Sequence, residues 1–204
     1  MPKDKSESHN LIIKVAKQEF LEKGYEKVSM REIGRKVNLT QAALYRHFES
    51  KEAMFNSLVD PFVENLMSYT KEHEKNAYDN YDKTKSSEVM VSDNVVIMMK
   101  NLMKNYHDEL RLIICCSHGT KYENFIHNLI RLETKETMKA FDYIRKNGGK
   151  VKEISEDELH VLFSAYMSAI IEPLEHDWSY DKAVKCLDVI EEFFIPAWKN
   201  LMGF

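Results

Sequence analysis

Apolar residues recur at intervals of three and four along most of the chain, which is the spacing of amphipathic α-helices. In the first quarter, Ile13, Ala16 and Phe20 share one face of a helix predicted over residues 9–23. Gly24 suits the left-handed residue that ends this helix. Further helices with the same periodicity are predicted over Val89–Tyr106, Glu109–Ser117, Tyr122–Lys146, Glu156–His176 and Asp181–Leu201. With the four helices that precede them, the pattern predicts an all-α fold of about nine helices.

Two short helices joined by a sharp turn are predicted between Ser29 and Phe48. Ser29 and Glu32 have the spacing of a capping box at the start of the second helix. Asn38 tolerates the left-handed conformation that a sharp turn requires, and Thr40 is a favourable cap for the third helix. Phe48 is predicted on the inward face of that third helix. Helix, tight turn and helix predict a helix-turn-helix, whose second helix lies in the DNA major groove.

The predicted recognition helix begins with side chains suited to reading DNA. Thr40 and Gln41 can hydrogen-bond to base edges or phosphate, while the small Ala42 lets the backbone approach the bases. Tyr45 shares the outward face with Gln41, and His47 follows it. Taken singly, Tyr45 and His47 are ordinary surface residues, but their agreement with the caps and the turn favours DNA binding. The predicted DNA contacts are Ser29, Arg31, Thr40, Gln41, Ala42, Tyr45, His47 and Lys51.

A fourth helix is predicted from Lys51, with Ser50 as its cap. Pro61 removes one hydrogen bond inside it, which predicts an interruption and a kink there. The polar stretch over residues 76–88 predicts a loop or a frayed helix end.

Residues 10–56 resemble the DNA-binding region of the TetR family of bacterial transcriptional regulators. The resemblance is carried by Ala16, Phe20 and Gly24, then "VSMREIGRKVNLT", then "ALYRHFESKE". Two departures stand out: Asn38 replaces a usual glycine, and Gly34 and Val37 replace usual alanines. Gly34 is expected to cost the second helix up to ~1 kcal/mol relative to alanine.

The resemblance implies a DNA-binding domain over residues 1–52 and a helical effector-binding and dimerisation domain over residues 53–204. It also implies a homodimer formed by the last two helices, a double-stranded DNA operator and an unidentified small-molecule effector. A two-fold dimer would read a palindromic operator. The function that follows is a ligand-responsive transcriptional regulator, expected to be a repressor. The family's fourth helix carries the swing between binding and non-binding states, and Pro61 is hypothesised to localise that bend.

Charge and composition agree with this assignment. The first 56 residues carry 11 basic and 8 acidic side chains, whereas the rest of the chain carries 18 and 25. The basic first part suits an anionic partner at that end only. Six glycines and four prolines are too few for a turn-rich β-sandwich. No stretch is apolar enough to predict a membrane span, and the polar first ten residues lead us to expect no signal peptide. The expected location is cytoplasmic.

A pocket for an apolar or aromatic effector is predicted in the second domain, because methionine adapts its shape to varied ligands. The candidate lining residues are Met98, Met103, Phe125, Phe163, Tyr166 and Met167. Most such residues in a helical protein are simply core, and the resemblance transfers no ligand contact.

Catalysis and metal binding have weaker support. The chain has no P-loop, no GxGxxG and no nucleophile elbow, so no enzyme activity and no cofactor are expected. A helical-bundle metalloenzyme is an unfavoured alternative, since none of the eight histidines follows a glutamate at the ferritin-like spacing. Cys115 and Cys116 are expected to be inert rather than metal-binding or redox-sensing. A DNA-binding protein that a protein partner controls, without an effector, remains open.

Overall fold

Nine α-helices and no β-strand occur among residues 5–86 and 94–202, which are the residues that the computed structural model describes. The helices are α1 Lys5–Lys23, α2 Met30–Lys36, α3 Gln41–Leu44, α4 Lys51–Thr84, α5 Asn94–Asn105, α6 His107–Cys115, α7 Phe125–Lys146, α8 Glu156–Glu175 and α9 Tyr180–Met202. The predicted all-α fold is confirmed. The part of the predicted helix over residues 89–93 lies outside the described residues.

α4 is longer than the sequence pattern predicts. The stretch from Asn76 to Thr84 is helical, so the predicted loop at this position is wrong for these residues. The physical reason is tertiary: Tyr81 is almost completely buried, and its hydroxyl donates to the carbonyl oxygen of Ile144 at 3.4 Å. Such burial holds a polar helix end that would fray in isolation. α4 also continues through Pro61 without the predicted interruption.

α3 is shorter than predicted, because it ends at Leu44 and residues 45–47 form a turn. The His47 N–H donates to the Leu44 carbonyl at 2.8 Å, a bond of the tighter 3₁₀ type. Phe48 is buried as predicted, but it lies beyond the helix rather than within it.

The packing divides the chain into two compact units. The N-terminal unit comprises Met1–Leu66, described from residue 5 onward, together with Tyr106–Glu123. Its core includes Leu112 of α6 and Cys116 just after it, and the Tyr25 N–H donates to the Cys116 carbonyl at 2.9 Å. The other buried core residues are Ile12, Ala16, Phe20, Val28, Met30, Ile33, Val37, Leu44, Phe48, Met54, Phe55 and Val59.

α6 is tied to α1 by charge as well as by apolar packing. The Lys17 ammonium lies 3.0 Å from an Asp108 carboxylate oxygen and 2.9 Å from one of Glu109. Thus a segment about 90 residues further along the chain contributes to the same unit as the helix-turn-helix. The functional division predicted at residue 52 stays a prediction.

The C-terminal unit comprises Met67–Asn105 and Asn124–Phe204, with residues 87–93, 203 and 204 outside the described part. In this unit α8 packs against α7 and α9, and α5 packs against α9. The Lys100 ammonium of α5 lies 2.7 Å from an Asp188 oxygen and 3.2 Å from a Glu191 oxygen, both on α9. Among the described helices, none combines the length and apolarity that crossing a bilayer requires.

Candidate nucleic-acid interface

The helix-turn-helix is held by the caps and the turn that the sequence predicts. The Ser29 hydroxyl accepts from the Glu32 N–H at 3.2 Å, and the Thr40 hydroxyl accepts from the Ala43 N–H at 3.2 Å. Asn38 has a φ of 56°, the left-handed conformation expected of it. These contacts fix where α2 and α3 begin, and therefore how the second helix is presented.

Gly34 allows α2 to approach the turn that follows it. The Leu39 N–H donates to the Gly34 carbonyl at 2.8 Å. A Cβ on Gly34 would lie 2.8 Å from the Leu39 carbonyl oxygen and 3.3 Å from a Leu44 methyl carbon. The sequence predicts only a cost of Gly34 to helix stability. The structure shows that its main role is to allow close packing of α2 against the turn.

The predicted capping box at Ser29 is only half formed. The carboxylate of Glu32 pairs with the Lys23 ammonium instead of returning to the Ser29 backbone. Lys23 also lies 2.9 Å from a carboxylate oxygen of Glu19, and Lys36 pairs with the other Glu19 oxygen. Glu19 is 1% exposed, so two ammonium groups compensate one buried carboxylate and join α1 to α2.

Glu19 is not among the residues predicted from the sequence, although its position in the chain carries a signal. Glu19 follows the buried residues Ile12 and Ala16 at the spacing of one helix face, so it is a charge on the apolar stripe of α1. Burial alone would raise the pKa of its carboxyl. The Lys36 and Lys23 ammonium groups outweigh that effect and lower the pKa below its ordinary value near 4.5.

Glu19→Gln is expected to destabilise the N-terminal unit at neutral pH, by about 1–3 kcal/mol for lost charge-assisted hydrogen bonds. Because the folded-state pKa of Glu19 is lowered, its stabilising contribution is present above the ordinary value near 4.5 and is lost as the pH falls through the folded pKa. The difference between variant and parent should therefore shrink as the pH falls below the ordinary value. Hydrogen exchange of the α1 and α2 amides at several pH values measures it.

Glu22→Gln provides the matched control for this measurement, because Glu22 is an exposed carboxylate on the same helix. A pH-independent difference for Glu19→Gln, or an equal effect of Glu22→Gln, would contradict the assigned role of Glu19.

Most predicted DNA contacts lie on the surface of the N-terminal unit. Tyr45 is 46% exposed although its neighbour Leu44 is fully buried. Ser29, Arg31, Thr40, Gln41 and Ala42 are exposed as well. Since α2 and α3 present these side chains outward while their apolar residues face the core, the unit has a polar surface of the type that enters a DNA groove.

His47 is half-buried and lies beside the N-terminal helix. Its ring centroid is 6.0 Å from that of His9, and the His9 ring stacks on Phe48 at 5.0 Å. α1 is thereby in contact with the residues that immediately follow α3.

Lys51 is engaged inside the unit. Its ammonium donates to the carbonyl oxygens of Tyr25 at 2.8 Å, Val28 at 3.0 Å and Glu26 at 3.3 Å. It also lies 4.1 Å from the centroid of the Tyr25 ring, and burial lowers the pKa of Lys51. An ammonium has three N–H donors, so three carbonyl groups employ all of them. Lys51 therefore fastens the start of α4 to the connection between α1 and α2.

Lys51→Met removes the ammonium and keeps most of the aliphatic stem. We expect a loss of about 1–3 kcal/mol in the free energy of unfolding, because the charged hydrogen bonds are lost. We also expect weaker DNA binding with an unchanged dependence on salt concentration. Binding constants measured at salt concentrations from about 50 to 300 mM check the expected salt dependence. A negative slope that becomes shallower by about one unit per bound DNA-binding unit would instead support the phosphate contact predicted from the sequence.

The predicted effector residues differ in how far they are buried. Met103 and Tyr166 are buried, whereas Met98, Phe125, Phe163 and Met167 are half-buried. The Tyr166 ring lies 4.9 Å from that of Phe194 on α9, so it also serves the packing of α8 against α9. An open cavity of about 500 Å³ lies elsewhere in the C-terminal unit and is lined by Arg145, Glu153, Ile154, Ser155 and Glu158. The structure therefore does not gather the six predicted residues around that cavity, and their role stays a prediction.

The cysteines and histidines form no metal site in the part of the chain that the structure describes. Cys116 is buried, and burial raises the pKa of its thiol, which disfavours the reactive thiolate. Cys115 is exposed.

A family model matches the chain over residues 12–58, and its description is "Bacterial regulatory proteins, tetR family". Two regulators of Bacillus subtilis are similar at 34% identity: YdgC over 64 residues and YvdT over 70. Both bear the description "Uncharacterized HTH-type transcriptional regulator". The transcriptional activator FasR of Mycolicibacterium smegmatis is 26% identical over 87 residues.

These similarities are confined to part of each protein. The matched segments cover 31%, 34% and 43% of this chain, and 33%, 34% and 39% of YdgC, YvdT and FasR respectively. The resemblance predicted from the sequence is thus confirmed for the helix-turn-helix region.

Solved structures extend the likeness to the whole fold. A TetR-family transcriptional regulator from Bordetella parapertussis superimposes with a TM-score of 0.63 over 96% of this chain and 98% of its own, at 15% identity. NalD of Pseudomonas aeruginosa, described as the secondary repressor of the MexAB-OprM multidrug efflux pump, gives 0.53 over 93% and 96%, at 17% identity. At these identities the likeness shows the fold alone.

Proposed function

We propose that this chain, whose residues 12–58 match the model of the tetR family of bacterial regulatory proteins, binds operator DNA and regulates transcription. The observation that carries the proposal is the geometry of the N-terminal unit. Capped helices α2 and α3 flank a left-handed Asn38, and Thr40, Gln41 and Tyr45 point outward from a closed core. A helix-turn-helix with this presentation reads base edges from the first residues of its second helix.

The proposed contacts divide by the chemistry of their side chains. Thr40, Gln41 and Ala42 would face base edges, since they are the exposed residues at the start of the recognition helix. Ser29, Arg31, Tyr45 and His47 would position the unit through sugar and phosphate. The phosphate contact of Lys51 stays a prediction from the sequence, and the engagement of its ammonium with carbonyl groups argues against it.

A homodimer formed through α8 and α9 is part of the proposal. α8 exposes Val161, Ala165 and Ser168, which share one helix face, and Val161 is 65% exposed. α9 exposes Val189 at 64% and Phe193 at 73%. Large apolar side chains on neighbouring helices, left uncovered by the rest of their unit, support an interface with a second copy. Two recognition helices related by two-fold symmetry would then read a palindromic operator.

The direction of regulation is proposed to be repression, released by a small molecule in the C-terminal unit. NalD is described as a repressor and FasR as an activator, so a reporter gene placed behind the operator is needed to decide between the two. An effector that prefers the non-binding state by about 2.7 kcal/mol would lower operator affinity roughly a hundredfold.

The test of DNA reading is selection of duplex DNA from a random library with the purified chain. Enrichment of a palindrome supports both the DNA-reading function and the two-fold dimer. Enrichment of a single half-site supports the function and contradicts the dimer. No enrichment from folded protein at modest salt contradicts the function.

The test of effector control is a thermal-shift screen of small molecules with and without the selected operator. A ligand that raises the melting temperature and releases the operator supports the effector. Control by a protein partner predicts that no small molecule releases the DNA.

A further inference from the structure

The surface of α2 is divided into three faces by the spacing of its residues. Met30 and Ile33 are buried and face the core. Glu32 and Lys36, four residues apart, face α1 and pair with Lys23 and Glu19 respectively. Arg31 and Arg35 are also four residues apart, so they form a third, exposed face of the helix.

Seven cations on or near the helix-turn-helix fall into two groups by what they contact. The ammonium groups of Lys17, Lys23, Lys36 and Lys51 are each within hydrogen-bonding reach of carboxylate or carbonyl oxygens of the same unit. Arg31, Arg35 and Arg46 are exposed, and the guanidinium group of none of the three has a hydrogen bond or ion pair with another described residue.

Arg46 follows α3 and lies in the turn that contains Tyr45 and His47. The two exposed arginines of α2 and this one therefore border the helix-turn-helix, on the elements that come before and after the recognition residues. Lys14 and Lys27 are also exposed without a partner among the described residues, but they lie on α1 and in the turn before Ser29.

We propose that Arg35 and Arg46, together with Arg31, bind phosphate groups of the operator backbone, while Lys36 is held away from the DNA by Glu19. Arg35 and Arg46 are additions to the contacts predicted from the sequence, and the inference rests on the proposed DNA-binding function. A guanidinium suits the task, because its planar donors match two phosphate oxygens at once. Exposed guanidinium groups with no intramolecular partner lose no existing ion pair when they reach a phosphate.

Arg35 and Lys36 are a matched pair for the test, since they are adjacent cations on the same helix that differ in whether they are engaged. The experiment measures the binding constant of the full chain for its selected duplex as a function of salt concentration. Each phosphate contact contributes about −0.9 to the slope of the logarithm of the binding constant against the logarithm of salt concentration. Arg35→Ala and Arg46→Ala should each make this negative slope shallower by about 0.9 per bound DNA-binding unit. Lys36→Ala should leave it unchanged.

Two separate controls test whether a variant still folds and whether the charge alone is sufficient. Hydrogen exchange of α1 and α2 should be unchanged in Arg35→Ala and faster in Lys36→Ala, because only Lys36 has an internal partner. Arg35→Lys keeps the charge, so it should retain the slope while binding less tightly through the loss of the paired hydrogen bonds.

The outcomes separate this inference from the function on which it rests. A parent protein that binds no duplex at any salt concentration overturns both. A parent that binds with a clear salt dependence, and whose slope is the same in Arg35→Ala and Arg46→Ala, overturns the arginine assignment alone. A slope that becomes equally shallower in Arg35→Ala and Lys36→Ala shows that Glu19 does not keep Lys36 from the DNA, and overturns the division of the cations.

Discussion

Gly34→Val is expected to reduce operator affinity about a thousandfold, to the level of non-specific binding, at the lower end of the usual ratio between specific and non-specific affinity. The nearest neighbour of this glycine is a backbone atom, which cannot move aside as the end of a flexible side chain can. A Cβ at this position would lie 2.8 Å from the Leu39 carbonyl oxygen, and valine adds two further methyl groups. Since Leu39 is held to Gly34 by a backbone hydrogen bond of 2.8 Å, the turn has to move.

A displaced turn changes the direction of the recognition helix. The Thr40 cap follows Leu39 directly, so a shift at Leu39 moves the residues that would meet the bases. Overpacking of this kind also costs about 1–3 kcal/mol of stability. Affinity for the selected operator and for a scrambled duplex, measured side by side, separates the two consequences. Loss of specific binding with non-specific binding retained is the expected result.

Gln18→Val on α1 controls for the introduction of a β-branched residue into a helix, because Gln18 is exposed. It should leave operator affinity within about twofold, as surface substitutions usually do. If Gly34→Val binds the operator as tightly as Gln18→Val, then the close approach of α2 to the turn does not determine the presentation of α3.

Local chemistry explains which parts of the interface could be predicted from the sequence. The caps at Ser29, Thr40 and Ser50 and the left-handed Asn38 depend on residues within three positions of each other, so their spacing is visible in the chain. The same holds for the apolar faces of the helices. These local features are sufficient to predict a helix-turn-helix and an all-α fold.

Features that depend on distant residues could not be predicted in this way. Lys51 lies at a helix start, where an unbonded ammonium would suit a phosphate, and only the folded chain brings Tyr25 and Val28 to it. The capping box at Ser29 is incomplete because Lys23, nine residues before Glu32, competes for the Glu32 carboxylate. α6 likewise belongs to the N-terminal unit because it contacts α1, and no local sequence pattern predicts that contact.

The surface of the C-terminal unit carries apolar side chains that its own core does not bury. Val189 and Phe193 lie on the outward face of α9, while Ala183 and Leu187 of the same helix are fully buried. Such exposure in a single chain is the basis of the proposed homodimer.

Val189→Lys is accordingly expected to convert the dimer to monomers and to lower operator affinity by about two to four orders of magnitude. The reason is that two linked DNA-binding units act at a high effective concentration, which is worth roughly 10²–10⁴ in binding. A lysine at this position would be desolvated without a partner in the interface. Sedimentation velocity gives the oligomeric state, and titration of the selected palindrome gives the affinity.

Ile97→Lys is the matched control, because Ile97 is another β-branched apolar residue with 54% exposure, and it lies on α5 of the same unit. It should leave both mass and affinity unchanged. Val189→Lys should still bind a single half-site as well as the parent monomer does, since its helix-turn-helix is intact. A dimer that persists in Val189→Lys would remove α9 from the interface. A monomer that still binds the palindrome tightly would show instead that the two DNA-binding units act independently of dimer formation, which the proposed mechanism does not allow.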